Sequence, residues 1–200
     1  MLTPNKTATG NRRVFVKRLS LGIAGIAAAW GGFTVYQIRK HPKLSSIDAQ
    51  IPLLDELAET IIPQTDTPGA KAAGCGAIIA ILIKDCTDRS SQNRFIDGLD
   101  TLKDYCQSHY DMPFEALSEV RRIAVLQHFE AKGKPAAGML GKAQRKLMGD
   151  SFFTTLKNLT VTAWCTSKVG ATQGLAYDYI PGAYIADAPL QPGQHSWATQ

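Results

Sequence analysis

The sequence predicts an all-α protein: a single small helical bundle with an irregular C-terminal tail, preceded by an export-signal helix. Four segments repeat apolar residues at the three- and four-residue spacing of an amphipathic helix, and a fifth is apolar on every side. No two segments alternate apolar and polar residues as paired strands do. From Gly170 onward, Gly, Pro, Tyr and Ala dominate without any period. With 200 residues and 44% hydrophobic content, the chain has enough material for one ordinary core.

Charge divides the chain into a leader, residues 1–43, and a helical domain, residues 44–200. The leader holds eight Lys and Arg residues and no acidic residue, whereas the domain holds 14 basic and 17 acidic residues. A mildly acidic domain has no electrostatic reason to bind a phosphate backbone. Nucleic acid is therefore excluded as a partner.

The leader has the layout of an export signal. Its stretch NRRVFVK resembles the twin-arginine export motif, whose signal residues here are Arg12, Arg13, Phe15 and Lys17. An apolar region from Leu19 to about Ala29 follows and ends in small residues suited to cleavage. This pattern predicts export to the periplasm through the twin-arginine translocase. The alternative is a retained inner-membrane anchor, because 19–38 is just long enough to span a bilayer.

The first predicted helix of the domain is IPLLDELAETIIP, residues 51–63. Its apolar residues fall on one face and its acidic residues on the other, so one stripe must be buried. Pro52 suits the first turn, and Pro63 ends the helix. For the next helix, Asp66 or Thr67 can cap and Pro68 can take the first helical position. Because 77–83 is apolar on every side, this helix is expected to lie centrally in the core or beneath another covering element.

Three further helices are predicted from their apolar spacing. The first follows Phe95, Ile96, Leu99, Leu102, Tyr105 and Cys106; the second, from Phe114 to Phe129, follows Leu117, Val120, Ile123 and Ala124 and ends near Gly133; the third follows Phe152, Leu156, Leu159 and Ala163.

Sequence motifs for chemistry are missing. The chain has no dinucleotide-binding glycine pattern, phosphate-binding loop, haem-attachment motif or zinc-protease motif. The four histidines are far apart, and the acidic residues Asp85, Asp88 and Asp97 are interpreted as helix caps and solvated positions. No catalytic, cofactor-binding or metal-binding residue is predicted.

Two blocks of the chain carry a family resemblance. LDELAETIIPQTDTPGAKAAG, residues 54–74, resembles the signature of the gluconate 2-dehydrogenase subunit 3 family. FFTTLKNLTVTAWCTSKVGATQGLAYDYIPGAYIADAPL, residues 152–190, is similar to that family's C-terminal pattern, as is HSWAT at 195–199. The chain departs from the family at Ala163-Trp164-Cys165, where Gly-Tyr-Phe is common.

This resemblance implies a non-catalytic small subunit that accompanies a large FAD-dependent dehydrogenase subunit, stabilises it and escorts it through the translocase. FAD is then expected in the partner and no cofactor in this chain. A multihaem cytochrome c is a further candidate partner. The candidate partner interface lies in the two blocks and the terminal motif, at Pro63, Thr65, Asp66, Thr67, Pro68, Gly69, Trp164, Pro181, Tyr184 and Trp197.

Two alternatives to this function remain open. One is a membrane-anchored adaptor that docks a dehydrogenase to a cytochrome. The other is a stand-alone thiol-dependent enzyme. The substrate of the complex would be held by another chain, so this sequence does not identify it.

Four cysteines in an exported domain favour disulfides. Cys75 and Cys86 are about 16 Å apart if they share one helix, which is too far for a bridge. A hairpin of the second and third helices, turning at Arg89, would bring Cys75 level with Cys106, the predicted disulfide. Cys86 and Cys165 are then left to pair with each other, to bridge to the partner or to remain free thiols.

Overall fold

The computed structural model describes residues 40–135, 149–176 and 192–197, together with positions 32, 137–139, 141, 142, 146, 182 and 189. The chain divides into two compact units, Met1–His41 and Pro42–Gln200. The described elements of the second unit are α1 Ser45–Asp48, α2 Ile51–Ile61, α3 Cys75–Cys86, α4 Arg89–Tyr110, a 3-10 turn Phe114–Ala116, α5 Glu119–Gly133, α6 Phe152–Thr166 and a π-helical turn Gly170–Gly174.

The predicted all-α fold is confirmed. The described residues contain one isolated β-bridge, between Ala176 and Trp197, and otherwise only helices, turns and irregular segments. No helix in the described ranges combines the length and apolar character needed to cross a bilayer. The leader and its signal residues Arg12, Arg13, Phe15 and Lys17 lie outside the described residues.

Helix α6 is the centre of the bundle because it packs against α2, α3, α4 and α5. Its N-cap is Ser151, whose hydroxyl accepts a hydrogen bond from Thr154 N at 3.2 Å. As predicted, Leu156 and Ala163 are buried, while Phe152 and Leu159 are half-buried against the core. Around α6, α2 packs mainly on α3, and the short α1, absent from the sequence prediction, packs on α3.

Helix α2 follows its prediction. Its apolar stripe is buried, at Leu53, Leu54, Leu57 and Ala58. Pro52 lies in the first turn, and the helix ends at Ile61; Ile62, which precedes Pro63, has a non-helical backbone with φ of −125° and ψ of 85°. One face of α2 therefore belongs to the core, which leaves its three carboxylates for other contacts.

Helix α3 begins at Cys75, later than the signal at Asp66–Pro68 predicts. Residues 63–74 form a loop instead, and Gly74 ends it in a left-handed conformation with φ of 67°. The helix is not enclosed on every side, since Ile79 and Ile83 are buried whereas Ile81 is 53% exposed. Of the two expectations for this apolar helix, the central position is wrong.

Helix α4 matches its predicted stripe, with Phe95, Ile96, Leu99, Leu102 and Cys106 buried. Asp88 caps it by accepting hydrogen bonds from Ser90 N at 2.9 Å and Ser91 N at 3.1 Å. Phe152 of α6 joins this helix to α5, because its ring lies 5.5 Å from that of Phe95 and 6.0 Å from that of Phe129.

The predicted register of α5 is wrong. Leu117 ends the 3-10 turn in an extended conformation and is not part of the helix. Because α5 starts afresh at Glu119, the apolar spacing counted from Leu117 does not continue into it. Val120 and Ile123 are 78% and 40% exposed, and the core instead receives Val125, Leu126 and Phe129. The end of this helix at Gly133 agrees with the prediction.

The predicted hairpin of α3 and α4 is not formed. Gln92 Nε2 closes the turn between them by donating to the carbonyl oxygens of Ile83 at 3.1 Å, Lys84 at 2.9 Å and Thr87 at 3.2 Å. Beyond this turn the two helices do not pack along their lengths, because each packs on α6. This correction removes the basis for pairing Cys75 with Cys106.

Candidate partner-binding surface

The acidic face of α2 holds the loop 63–74 in place through hydrogen bonds to backbone N–H groups. Glu59 accepts hydrogen bonds from Gln64 N at 2.9 Å and from Lys71 N at 2.8 Å, so one carboxylate closes both sides of the loop. One turn earlier, Asp55 accepts a hydrogen bond at 2.8 Å from Gly76 N, in the first turn of α3. Sequence reasoning assigned these carboxylates only to the polar face of α2. Their backbone partners lie in other segments, and no local spacing signals them.

Glu56 adds an ion-pair network to this loop. Its two oxygens bind Lys71 Nζ in the loop and Arg122 Nη1 on α5, and Arg122 Nη2 also donates to Glu115 O at 2.6 Å. The hydrogen bond from Lys71 and the positive charges of Arg122 and Lys71 hold the pKa of Glu56 below its ordinary value of 4.5, despite the opposing effect of burial. The hydrogen bond and charge of Glu56 correspondingly raise the pKa of Lys71.

Gly69 is where the loop comes closest to α2. A Cβ atom at this position would lie within 2.7 Å of Gln64 N and would collide with the Glu59 carboxylate. The residue is buried, so this member of the predicted interface has its role inside the loop and not on the surface. The turn therefore needs glycine for space, not for an unusual φ.

Trp164 connects this loop to the C-terminal part of the domain. Its indole Nε1 donates a hydrogen bond to Pro68 O at 3.0 Å. On the other side, the ring lies so close to Gly174 that a Cβ atom there would overlap its benzene edge. Trp164 is thus held between the loop and the π-helical turn, which unites two of the predicted interface regions.

The tail adds a third segment beside the π-helical turn. Ala176 N donates to Ser196 O at 2.8 Å, and the ring nitrogen Nδ1 of His195 lies 3.1 Å from Gly174 O. Trp197 follows Ser196 directly in the chain, and 48% of its surface is exposed. Pro181 and Tyr184, the remaining predicted interface residues, lie outside the described residues.

An open cavity of ≈ 430 Å³ lies between the loop and the turn after α6. Its lining residues are Gln64, Thr65, Asp66, Thr67, Pro68, Ala72, Val169 and Gln173. Pro63, Thr65 and Asp66 are exposed, whereas Thr67, Pro68 and Trp164 are half-buried. We call the surface formed by residues 63–68, Trp164 and Gln173 the Trp164 surface. It offers a fixed polar loop with an aromatic residue behind it, an arrangement suited to contact with another protein.

The four cysteines are free thiols in the structure, and the predicted Cys75–Cys106 disulfide is not formed in it. Cys75 and Cys106 are buried, Cys165 is half-buried and Cys86 is exposed. Burial, followed by nearby carboxylates and Cys165, raises the pKa of Cys75 to about 11. Burial and the charge of Glu115 also raise the pKa of Cys106 to about 11. Neither buried thiol is activated, because a nucleophilic cysteine needs a lowered pKa.

Within the described ranges, no group of three or more His, Cys, Asp or Glu side chains could hold a metal ion. The ring of His109 stacks on that of Tyr105 with a centroid separation of 3.9 Å. Asp111 accepts a hydrogen bond from Gln107 Nε2 at 2.7 Å. Both residues thus have local structural contacts at the end of α4.

The comparisons with known proteins agree with the resemblance of the two blocks. The family described as gluconate 2-dehydrogenase subunit 3 matches residues 48–182, which is more than half of the chain and includes the loop 63–74, α6 and the π-helical turn. No curated protein and no solved structure shows significant similarity to the chain. On the strength of the family match, the chain belongs to the gluconate 2-dehydrogenase subunit 3 family, whose name denotes a subunit of a dehydrogenase complex.

Proposed function

We propose that this chain is a non-catalytic small subunit that stabilises the FAD-dependent catalytic subunit of a periplasmic gluconate- or sugar-type dehydrogenase. In this proposal it also escorts that subunit through the twin-arginine translocase, and FAD belongs to the partner alone. The observation that carries the proposal is the hydrogen bond from Trp164 to Pro68. It joins the two blocks of family resemblance, 54–74 and 152–190, into one surface.

The physical character of the Trp164 surface favours protein binding. Glu59 fixes both sides of the loop, so little backbone entropy would remain to be lost on docking. The exposed positions Pro63, Thr65 and Asp66 present a shaped polar rim, and tryptophans are enriched among residues that dominate interface energies. The rigid loop and its exposed polar rim both support a docking role for the Trp164 surface.

The chemistry of the described side chains supports a subunit over an enzyme. The carboxylates of Asp55, Glu56 and Glu59 are engaged in holding the loop, α3 and α5 in place. The buried thiols of Cys75 and Cys106 have raised pKa values and are protonated at neutral pH. Each group therefore has a structural role or lacks the activation that covalent catalysis requires.

Binding is tested by co-expressing the chain with a candidate FAD-dependent dehydrogenase subunit from the same genome and measuring the affinity of the purified pair. Asp66→Arg reverses a charge on the exposed rim, and we expect it to weaken binding by at least about tenfold. Asp104→Arg makes the same change at an exposed position of α4 and serves as the matched control. Equal affinities for both variants would contradict docking at the Trp164 surface.

Catalysis and export are tested separately. The purified chain alone is expected to show neither flavin absorbance nor sugar or polyol dehydrogenase activity.

Replacing Arg12 and Arg13 by Lys should leave the flavoprotein partner in the cytoplasm, since the pair of arginines is the translocase signal. Normal periplasmic activity of that variant would contradict the escort role. The intact mass of the exported chain distinguishes a cleaved leader from a retained anchor.

A further inference from the structure

The positions of the four cysteines favour a pairing other than the one that the sequence predicts. Cys75 is the first residue of α3, and Cys165 lies next to Trp164 near the end of α6. Helices α3 and α6 pack against each other. Because Trp164 bonds to Pro68, the end of α6 is also tied to the loop that leads into Cys75. The N-terminal end of α3 and the C-terminal end of α6 thus share one corner of the bundle.

The two other cysteines are poorly placed for Cys75. Cys86 is at the opposite end of the same continuous helix, about 16 Å away by helix rise, whereas bridged Cα atoms lie within about 7 Å. Cys106 is on α4, which does not pack along α3. The charged neighbour that raises the pKa of Cys106 is Glu115, whereas the neighbours of Cys75 are Asp55, Glu59 and Cys165. Of the other three cysteines, Cys165 is the one whose charge contributes to the raised pKa of Cys75, which agrees with the packing of α3 on α6.

We propose that Cys75 and Cys165 form the intrachain disulfide of this protein when it meets a thiol–disulfide oxidant, and that this bond fastens α3 to α6 behind the Trp164 surface. The proposal concerns this chain alone and does not depend on the dehydrogenase partner or on export. Its consequence is a covalent tie between the two segments that the Trp164–Pro68 hydrogen bond already joins.

The chemistry proceeds in two exchange steps. The half-buried Cys165 loses its proton and attacks the disulfide of the oxidant, which releases one thiol and leaves a mixed disulfide on Cys165. Cys75 then loses its proton and attacks the Cys165 sulfur, which releases the second thiol. Two protein thiols are oxidised to one disulfide, the oxidant disulfide is reduced to two thiols, and the two protons end on those thiols.

The environment of Cys75 determines which step is slow. Burial and the neighbouring carboxylates raise its pKa to about 11, so few molecules carry the Cys75 thiolate at neutral pH. We therefore expect the mixed disulfide on Cys165 to accumulate near pH 7. Ring closure should accelerate as the pH rises, by up to about tenfold per pH unit below pH 11.

The experiment exposes the reduced, purified full-length chain to oxidised glutathione, then maps disulfides by mass spectrometry after digestion without reductant. The expected product links Cys75 to Cys165, preceded by a glutathione adduct on Cys165. The bond should also raise Tm by roughly 5–15 °C, because it closes a long loop of the unfolded chain. Cys75 linked to Cys106, Cys165 linked to Cys86, or adducts without an intrachain bond would each overturn the proposal.

Variants keep the assignment testable. Cys165→Ser and Cys75→Ala should each abolish the intrachain bond and the gain in Tm, whereas Cys86→Ser and Cys106→Ala should retain both. Cys165 is half-buried, so its serine variant provides the test even if Cys75→Ala, in the core, fails to fold. An intrachain disulfide that survives Cys165→Ser contradicts the proposal.

Discussion

The indole of Trp164 donates its hydrogen bond to the carbonyl oxygen of Pro68 across 96 positions of the chain. Neither residue signals this contact locally, since Trp164 lies on α6 and the sequence assigns Pro68 to the start of a helix. The contact instead belongs to a loop that three carboxylates of α2 hold in place or anchor at its end. Stability measurements on this corner of the bundle test whether the contacts are energetically coupled to the fold.

Trp164→Phe removes the donor to Pro68 and the ring edge that covers Gly174. We expect the free energy of unfolding to fall by about 1–3 kcal/mol, because a carbonyl loses its partner and a small void forms. Urea denaturation measures the change. Trp197→Phe, at a residue that is 48% exposed, is the control and should stay within about 0.5 kcal/mol of wild type. Equal stability of the two variants would argue against the role given to Trp164.

Gly69→Ala introduces a methyl group into the closed space between Glu59 and Gln64. The loop or the carboxylate must move, which should cost about 1–3 kcal/mol in the free energy of unfolding. Gly182→Ala is the matched control, because a Cβ atom there meets no neighbour within 4 Å, and its effect should be at most about 0.5 kcal/mol. A neutral Gly69→Ala would mean that the loop is not closely held.

Glu56→Gln tests the pH dependence of the ion-pair network. The pKa of Glu56 is lowered in the folded chain, so its contribution to stability is present above its ordinary pKa of 4.5 and is lost as the pH falls through the lower folded value. Wild type should therefore be more stable than the variant at pH 6, and the gap should shrink steadily below pH of about 4.5. Denaturation curves at several pH values measure both proteins. A gap that stays constant into acid would show that Glu56 does not titrate as described.

Two valines distinguish the observed register of α5 from the one its apolar spacing predicts. Val120→Asp places a negative charge in the exposed first turn, where the helix dipole favours it, and should change stability by at most about 0.5 kcal/mol. Val125→Asp buries the same charge in the core and should cost at least about 3 kcal/mol. If thermal denaturation showed that Val120→Asp destabilises the protein more than Val125→Asp, the predicted register of α5 would be correct and the observed one wrong.

The sequence alone was sufficient for the features that depend on neighbours along the chain. The stripes of α2, α4 and α6 identify their buried faces, because a helix with one apolar face can be stable only if that face is covered. The cap at Asp88 could also be predicted from the sequence, because an N-cap residue bonds to the first turn of its own helix. Family membership also followed from local blocks, each a continuous run of residues.

Only the tertiary structure decided the features whose partners are distant. Helix α5 turns a different face to the core from the one its apolar spacing predicts, because Leu117 belongs to the preceding 3-10 turn. Helices α3 and α4 do not pair along their lengths, because each packs on α6. The acidic residues of α2 look like solvated positions in the sequence, yet Glu59 closes a loop and Glu56 reaches Arg122, 66 positions away. Such contacts depend on how helices meet, and packing determines that geometry once local stripes have fixed which faces are apolar.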